Sequence, residues 1–477
     1  MYNSSHTPSI HTLDDDSLLN VFYLYRPSLL GNDDDVNAHL KGPWVGERWW
    51  CKLAQVCQRW RILIFESASY LGLSLVCTKG THVADMLAHS HSLPLVIDYL
   101  DRYRDISAED EERAILALKQ RSRVRRIRLK LSATNLQKLI VAIEGEYPIL
   151  ENLIIWRQMD SKTLVLPETL EAPRLHHLML DGFALPIESR LLATAVRLVT
   201  LCLIMNSPST YFDPNTLLRW LSSTPRLEVL MISFIVFVPS HDEEGQLTHS
   251  SVMTPVTLPI LRRFWFQGHG SYLEALVHWI TPCPMKLEIH LADESTFSFP
   301  RLVQLMNTTE NLKFEDVKFK FSTWQVSVAA YSRGGTYMRF FSMAVSGRGI
   351  DWQTSYVAQI SNSFGPIFSA VEQLALEFEG EIDRSSRLSE EHEHSGFRHI
   401  EWLQLFSSLS NLKTLRIDNL FVEGVSRCLQ LDDGEFRLEL LPELQEFAYC
   451  GGRSCDALTS FIDARQKAGR PVTLTCY

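Results

Sequence analysis

His392, His394 and His399, with Glu393 between the first two, form the densest run of metal-ligand side chains in the chain. Zinc is the ion such a set would hold. Closed zinc sites combine spaced cysteine and histidine, and no cysteine accompanies "SEEHEHSG", which is polar and acidic. Other chemistry has no better foothold. "RGGTY", from Arg333, lacks the lysine and the helix start of a phosphate-cradling loop. There is no G-x-S-x-G elbow for a nucleophilic serine and no H-E-x-x-H pair for a catalytic zinc. The nine cysteines are scattered, Cys450 and Cys455 do not form a C-x-x-C pair, and nothing in the sequence marks any of them as activated. The expectation is a protein that is not an enzyme and holds neither metal nor cofactor. An α/β enzyme with a site built from unrecognised positions is the distant rival.

The elements that would position any site fill a long chain. Its 477 residues, 45% of them hydrophobic, exceed one compact domain. The net charge of -10 points away from nucleic acid. The odd, dispersed cysteines read as reduced thiols of a cytoplasmic or nuclear protein. "MYNSSHTPSIHTLDDD" has neither the basic nor the apolar region of a secretory signal. The longest apolar run, Val229 to Val238, is about half a bilayer span and reads as a buried strand. No membrane association is expected.

Beyond residue 120 one phrase recurs, apolar at positions 1, 4 and 6. It reads Val124-Ile127-Leu129, Leu150-Leu153-Ile155, Leu175-Leu178-Leu180, Leu198-Leu201-Leu203, Leu227-Leu230-Ile232 and Leu261-Phe264-Phe266. It returns as Val371-Leu374-Leu376, Leu412-Leu415-Ile417 and Leu444-Phe447-Tyr449. Positions 4 and 6 have the two-residue period of a strand and share one face; position 1 enters the same core from a turn. Proline often precedes the phrase (Pro148, Pro173, Pro225, Pro259, Pro442), ending the segment before it. Amphipathic stretches lie between: "NLQKLIVAIEG", "DPNTLLRWLSSTP" with Asp213 as cap and Pro214 at the first helical position, "SYLEALVHWITP", "FRHIEWLQLFSSL", and "CDALTSFIDARQKAG" ending at Gly469. Such units must stack to close a core. The phrases lie about 23 to 34 residues apart, overlapping or slightly exceeding the leucine-rich-repeat range. An irregular solenoid over residues 76–477 is expected, with an open parallel sheet of α/β units as the alternative. Residues 280–370 break the phrase, and "KFEDVKFKFSTWQVSVAAY" and "TYMRFFSMAV" read as antiparallel alternating strands. Pro239 to Ser251 and Asp383 to Gly396 read as polar, mobile loops.

Residues between the core positions would face outward, where a target could be held. Arg126, Arg128 and Lys130 form one row, in the basic run "KQRSRVRRIRLK", and suit an acidic or phosphorylated partner. Asn152-Ile154-Trp156, His177-Met179-Asp181, Arg263-Trp265-Gln267 and Thr414-Arg416-Asp418 form others, with Trp156 and Trp265 the sharper anchors.

Residues 1–75 read as a separate helical module. In "LDDDSLLNVFYLY", Leu18, Val21, Phe22 and Tyr25 share a stripe, and Asp16 or Ser17 is placed to cap it. In "LAQVCQRWRILI", Val56, Cys57, Trp60, Leu63 and Ile64 share another. Two halves in this order resemble the F-box. Leu13, Asp16, Leu18, Val21 and Phe22 match its first half, and Val56, Cys57, Arg59 and Trp60 its Val-Cys-(Arg/Lys)-x-Trp end. Asp14 stands where the family has proline, and the gap between the halves is longer than usual. The resemblance, shared in layout with many divergent fungal proteins, implies docking on the Skp adaptor and through it a cullin scaffold of an SCF-type ubiquitin ligase. The adaptor-binding set would be Leu13, Leu18, Val21, Phe22, Val56, Cys57 and Trp60, with the repeats holding an unknown target. Catalysis there is proximity, a target lysine brought near a charged conjugating enzyme. The alternative is a leucine-rich-repeat scaffold with no ligase role.

Overall fold

The computed structural model describes residues 10–26, 48–90, 93–100, 106–157, 163–235, 255–292, 298–308, 313–332, 340–347, 350–380, 399–429, 439–450 and 456–476. It is a mixed α/β protein, dominated by mostly parallel sheet, in two compact units, Met1–Thr200 and Leu201–Tyr477.

The first unit opens with helices α1 (Asp15–Tyr25), α2 (Trp49–Leu53), α3 (Gln58–Glu66) and α4 (Ala68–Leu71). Strands β1 (Leu75–Cys77), β2 (Leu95–Leu100), β3 (Val124–Leu131), β4 (Asn152–Arg157), β5 (Leu164–Val165), β6 (His177–Asp181) and β7 (Phe183–Ala184) follow. β1-β2-β3-β4-β6 form one parallel ladder, and β5 pairs with β7 apart from it.

The second unit's strands are β8 (Thr200–Met205), β9 (Val229–Phe234), β10 (Val256–Thr257), β11 (Arg263–Gly268), β12 (Ile280–Thr281), β13 (Lys286–Leu291), β14 (Asp316–Ser322), β15 (Gln325–Tyr331), β16 (Phe340–Ser346), β17 (Gln373–Glu379), β18 (Thr414–Asp418), β19 (Glu446–Cys450) and β20 (Thr473–Cys476). Their order across the sheet is β8-β9-β11-β13-β16-β15-β14-β17-β18-β19-β20. β14–β15 and β15–β16 are antiparallel, as the alternating sequence of 280–370 implies. This meander runs back toward β13, so β16 pairs parallel with β13 and β14 parallel with β17.

The recurring phrase behaves as its period requires. Every position 1 and 4 is buried, and every position 6 except Tyr449. Position 1 closes a turn: the amide of Leu150 donates to Tyr147 at 3.2 Å, Leu175 to Ala172 at 3.0 Å and Leu227 to Thr224 at 3.1 Å. The next amide reaches back one rung. Glu151 donates to Arg125, His176 to Glu151, Arg262 to Glu228, Lys413 to Glu372 and Gln445 to Lys413, each at 2.8 Å. That second bond fixes the register, so position 4 stacks as Ile127-Leu153-Leu178 in the first unit and as Leu230-Phe264-Leu287-Phe341 and Val317-Leu374-Leu415-Phe447-Leu474 in the second. The amphipathic segments are helices: Ala133–Ala142, Pro214–Leu221, Gly270–Val277, His399–Ser407 and Asp456–Lys467. Asp213 caps the second, accepting from the amides of Asn215 and Thr216, and Gly469 after the last takes φ +76°.

Two sequence expectations change. Asp14, not Asp16 or Ser17, caps α1, accepting from the Ser17 amide at 2.7 Å and hydroxyl at 3.0 Å. "LAQVCQRWRILI" is not one helix. Cys57 has extended backbone and its sulfur accepts from the Trp60 amide, so α3 starts anew at Gln58 and Val56 lies in the turn before it. The strand in Val229–Val238 is described to Phe234; residues 236–254, including the loop at Pro239, lie outside the described residues. So do Asp383 to Gly396 and the His392–His394 pair; His399 opens a helix. Among the described residues no helix is long and apolar enough to cross a membrane, and no His/Cys/Asp/Glu cluster is arranged to hold a metal ion.

Candidate functional site

Two surfaces compete: the amino-terminal helices and the outward sheet faces.

The helices sort the seven candidate docking residues into distinct roles. Leu18, Phe22 and Trp60 are core. The Phe22 and Trp60 rings meet edge to face at 4.8 Å, joining the two halves of the motif. Cys57 is half-buried as the α3 cap. Leu13, Val21 and Val56 are exposed. Arg59 spans the halves on the surface: its Nε and Nη2 donate to Asp15 Oδ1 at 3.0 and 2.7 Å, and Nη2 also to the Leu13 carbonyl at 2.7 Å. Asp14, in the place of the expected proline, holds its carboxyl below the usual range because the Ser17 amide and hydroxyl donate to it.

Motif matching missed several apolar groups on these helices. Leu24 is 82% exposed, the most open large apolar side chain among the described residues. Tyr23 and Tyr70 pair at 5.6 Å, and the Tyr70 hydroxyl donates to Asn20 Oδ1. Ile62, Phe65, Tyr25 and Ile10 are also exposed. The signal was present: Leu24 and Tyr23 are apolar residues off the Leu18-Phe22-Tyr25 stripe, which burial in their own bundle does not require. Half of the exposed large apolar side chains of the described residues lie before β1, in a small part of the chain.

Arg48, just before α2, also reaches β1. Arg48 Nη2 donates to the Val76 carbonyl of β1 at 3.3 Å and to Thr78 Oγ1 at 3.1 Å, while Leu71 and Leu73 are buried beside it.

The outward face of the first unit is not the open groove expected. Arg128 is 2% exposed and bound through both ends of its fork to Asp98 on β2, Nε to Oδ1 at 3.0 Å and Nη2 to Oδ2 at 2.6 Å. Ile154, Trp156 and Met179 are buried too. Lys130 lies over the Trp156 ring at 5.7 Å, and Arg126 is half-buried. The second unit differs. Trp265 is half-buried, its ring tilted against His290 at 5.4 Å, and Arg263 is paired with Glu288 at 2.9 Å. Arg416 is exposed, with Thr414 and Asp418 half-buried.

No family model matches the chain, and no curated protein sequence does.

Proposed function

We propose that the amino-terminal helices dock a Skp-type adaptor, and through it a cullin scaffold. The strand–turn–helix rungs, read as an irregular leucine-rich-repeat array, would hold a target protein for ubiquitination. The observation that carries this reading is the exposed apolar surface of Leu13, Val21, Leu24 and Val56, supported on a core of Leu18, Phe22 and Trp60 that matches the F-box residues. Singly exposed apolar side chains are ordinary; what favours docking is their number on these few helices, half of the exposed large apolar side chains of the described residues. In this reading the chain supplies geometry and selectivity and performs no bond-making step itself.

The test is co-purification with the Skp adaptor. Deleting residues 1–75 is a poor variant, because Arg48 donates to β1 and Leu75 belongs to it. Leu24→Asp and Val21→Asp are better. Both positions are exposed, so stability should move by no more than about 0.5 kcal/mol, while adaptor binding should be lost. Trp60→Ala is the contrast: a buried tryptophan costs about 3–5 kcal/mol, so its binding loss would report unfolding. A well-folded wild-type protein that ignores the adaptor removes the ligase role and leaves the repeat scaffold.

A further inference from the structure

We infer that the outer edge of β20 pairs antiparallel with the same strand of a second copy of this chain, about a twofold axis through Leu474. The pairing stands independently of the function proposed above.

The edge is open. Among the described residues β20 is the last strand of the second unit's sheet and is bonded on one side only, to β19. The Thr473 amide donates to the Gln445 carbonyl at 2.8 Å, so Thr473 and Thr475 turn their backbone groups toward β19. The alternation of the ladder turns the amide and carbonyl of Leu474 the other way. The Leu474 side chain is uncovered as well. It ends the core row Val317-Leu374-Leu415-Phe447-Leu474, yet it is 38% exposed where the four before it are at most 3% exposed. Charge and proline, which blunt many sheet edges, are absent from Thr473–Cys476. β1, the outermost strand of the first unit's ladder, is the contrast. All its residues are buried, and the Val76 carbonyl accepts from Arg48 at 3.3 Å.

An open edge takes a β-strand, because only extended backbone matches its row of donors and acceptors. Register decides which strand. Groups that face outward must meet groups that face outward, so two identical antiparallel strands can be centred on Leu474. That register sets Leu474 opposite its own twin, Thr473 opposite the twin of Thr475, and Val472 opposite the twin of Cys476.

Each opposition is chemically matched. The two leucines, their Cα atoms about 5.5 Å apart, exchange two backbone hydrogen bonds and cover the apolar surface that each leaves exposed. Threonine faces threonine, a favourable cross-strand pair, and within the paired segment no charge meets its like. The patch is its own complement, as a twofold dimer requires. A strand of another protein would satisfy the backbone; the second copy satisfies backbone and leucine together. So short a strand buries less than a standard interface, and the dimer is weak, with a dissociation constant on the order of 10–100 µM.

The experiment is sedimentation velocity on the intact protein from about 5 to 500 µM, a range that brackets that constant. Leu474→Lys and Leu474→Glu are measured beside it, with circular dichroism as the folding control. The wild-type protein should pass from monomer to dimer across the range. Each variant sets like charges against each other at the axis and should weaken dimerisation about tenfold or more. Mixed in equal amounts, the two variants should pair again, because the axis then sets lysine against glutamate. Loss of the leucine from the fold alone would not be rescued in this way. A wild-type protein that stays monomeric throughout, a dimer untouched in either variant, or a mixture that stays monomeric would each overturn the inference. The first of these results would leave the edge to a strand of another protein.

Discussion

Removing Arg128 tests whether the first unit's outward face is core or binding surface. Its guanidinium and the Asp98 carboxylate have side-chain exposures of 3% and 4% and share two hydrogen bonds. Their row continues into Ile154 and Met179, both buried. Breaking such a pair strands an uncompensated charge away from water, at a cost of about 3–5 kcal/mol. Replacing both partners by apolar residues of similar volume is often neutral or stabilising. Arg128→Met and Asp98→Leu alone should therefore each destabilise by that amount, and the double variant should lose less than either. A whole-chain midpoint would blur two units together. Hydrogen exchange followed on peptides from β2 and β3 gives the local opening free energy instead. Single variants that cost under about 1 kcal/mol, the value of an exposed pair, would refute the reasoning. They would also return Arg128 to the pool of partner-binding residues.

Gly268→Ala would place a Cβ 2.6 Å from the Phe234 ring, an overpacking cost of about 1–3 kcal/mol; adding Phe234→Leu should recover much of it in urea unfolding. Asp14 has a depressed folded-state pKa, so its capping contribution is present above the ordinary carboxylate value and lost as pH falls through the depressed one. Asp14→Asn keeps the cap, and the protection of the Ser17 amide, its exchange rate taken relative to the intrinsic rate at each pH, should then no longer fall through the carboxylate range. Arg59→Met should shift stability by less than about 1 kcal/mol, since its pair with Asp15 is 41% and 62% exposed. Phe22→Ala should cost about 3–5 kcal/mol, read by thermal unfolding.

Much of the fold was legible because its determinants are local. A leucine at position 1 closes a turn with a residue three back, and positions 4 and 6 follow from the two-residue period. The Asp213 and Gly469 helix ends were readable for the same reason. The alternation of Asp316–Ser322 and Gln325–Tyr331 showed a hairpin but not its placement, because alternation says nothing about which strand lies alongside. Outward residues were the weak point. Period two assigns Arg128, Trp156 and Trp265 to one side of their strands, yet whether that side meets water is decided by residues far away in sequence. Burial separates Arg128 and Trp156 from Trp265. Within the docking set, a shared helical stripe could not sort Leu18 from Val21, nor show that Cys57 interrupts the helix and leaves Val56 outside it.

The long gap between the two motif halves matters less than its length suggests, and the magnitudes say why. Closure cost grows slowly with the number of residues between two contacts, each doubling adding only about 0.6 kcal/mol. The Arg59–Asp15 pair, on the surface, offsets that at most once. Trp60, buried and edge-on to Phe22, contributes several times as much. Aromatic burial therefore decides whether the halves meet, and it depends on side chains that both halves retain. Asp14 at the start of α1 accepts from the Ser17 amide and so caps the helix it opens. The helix pair is closed through Phe22 and Trp60, and in the proposed reading docking turns on the surface that Leu24 and Val21 leave open.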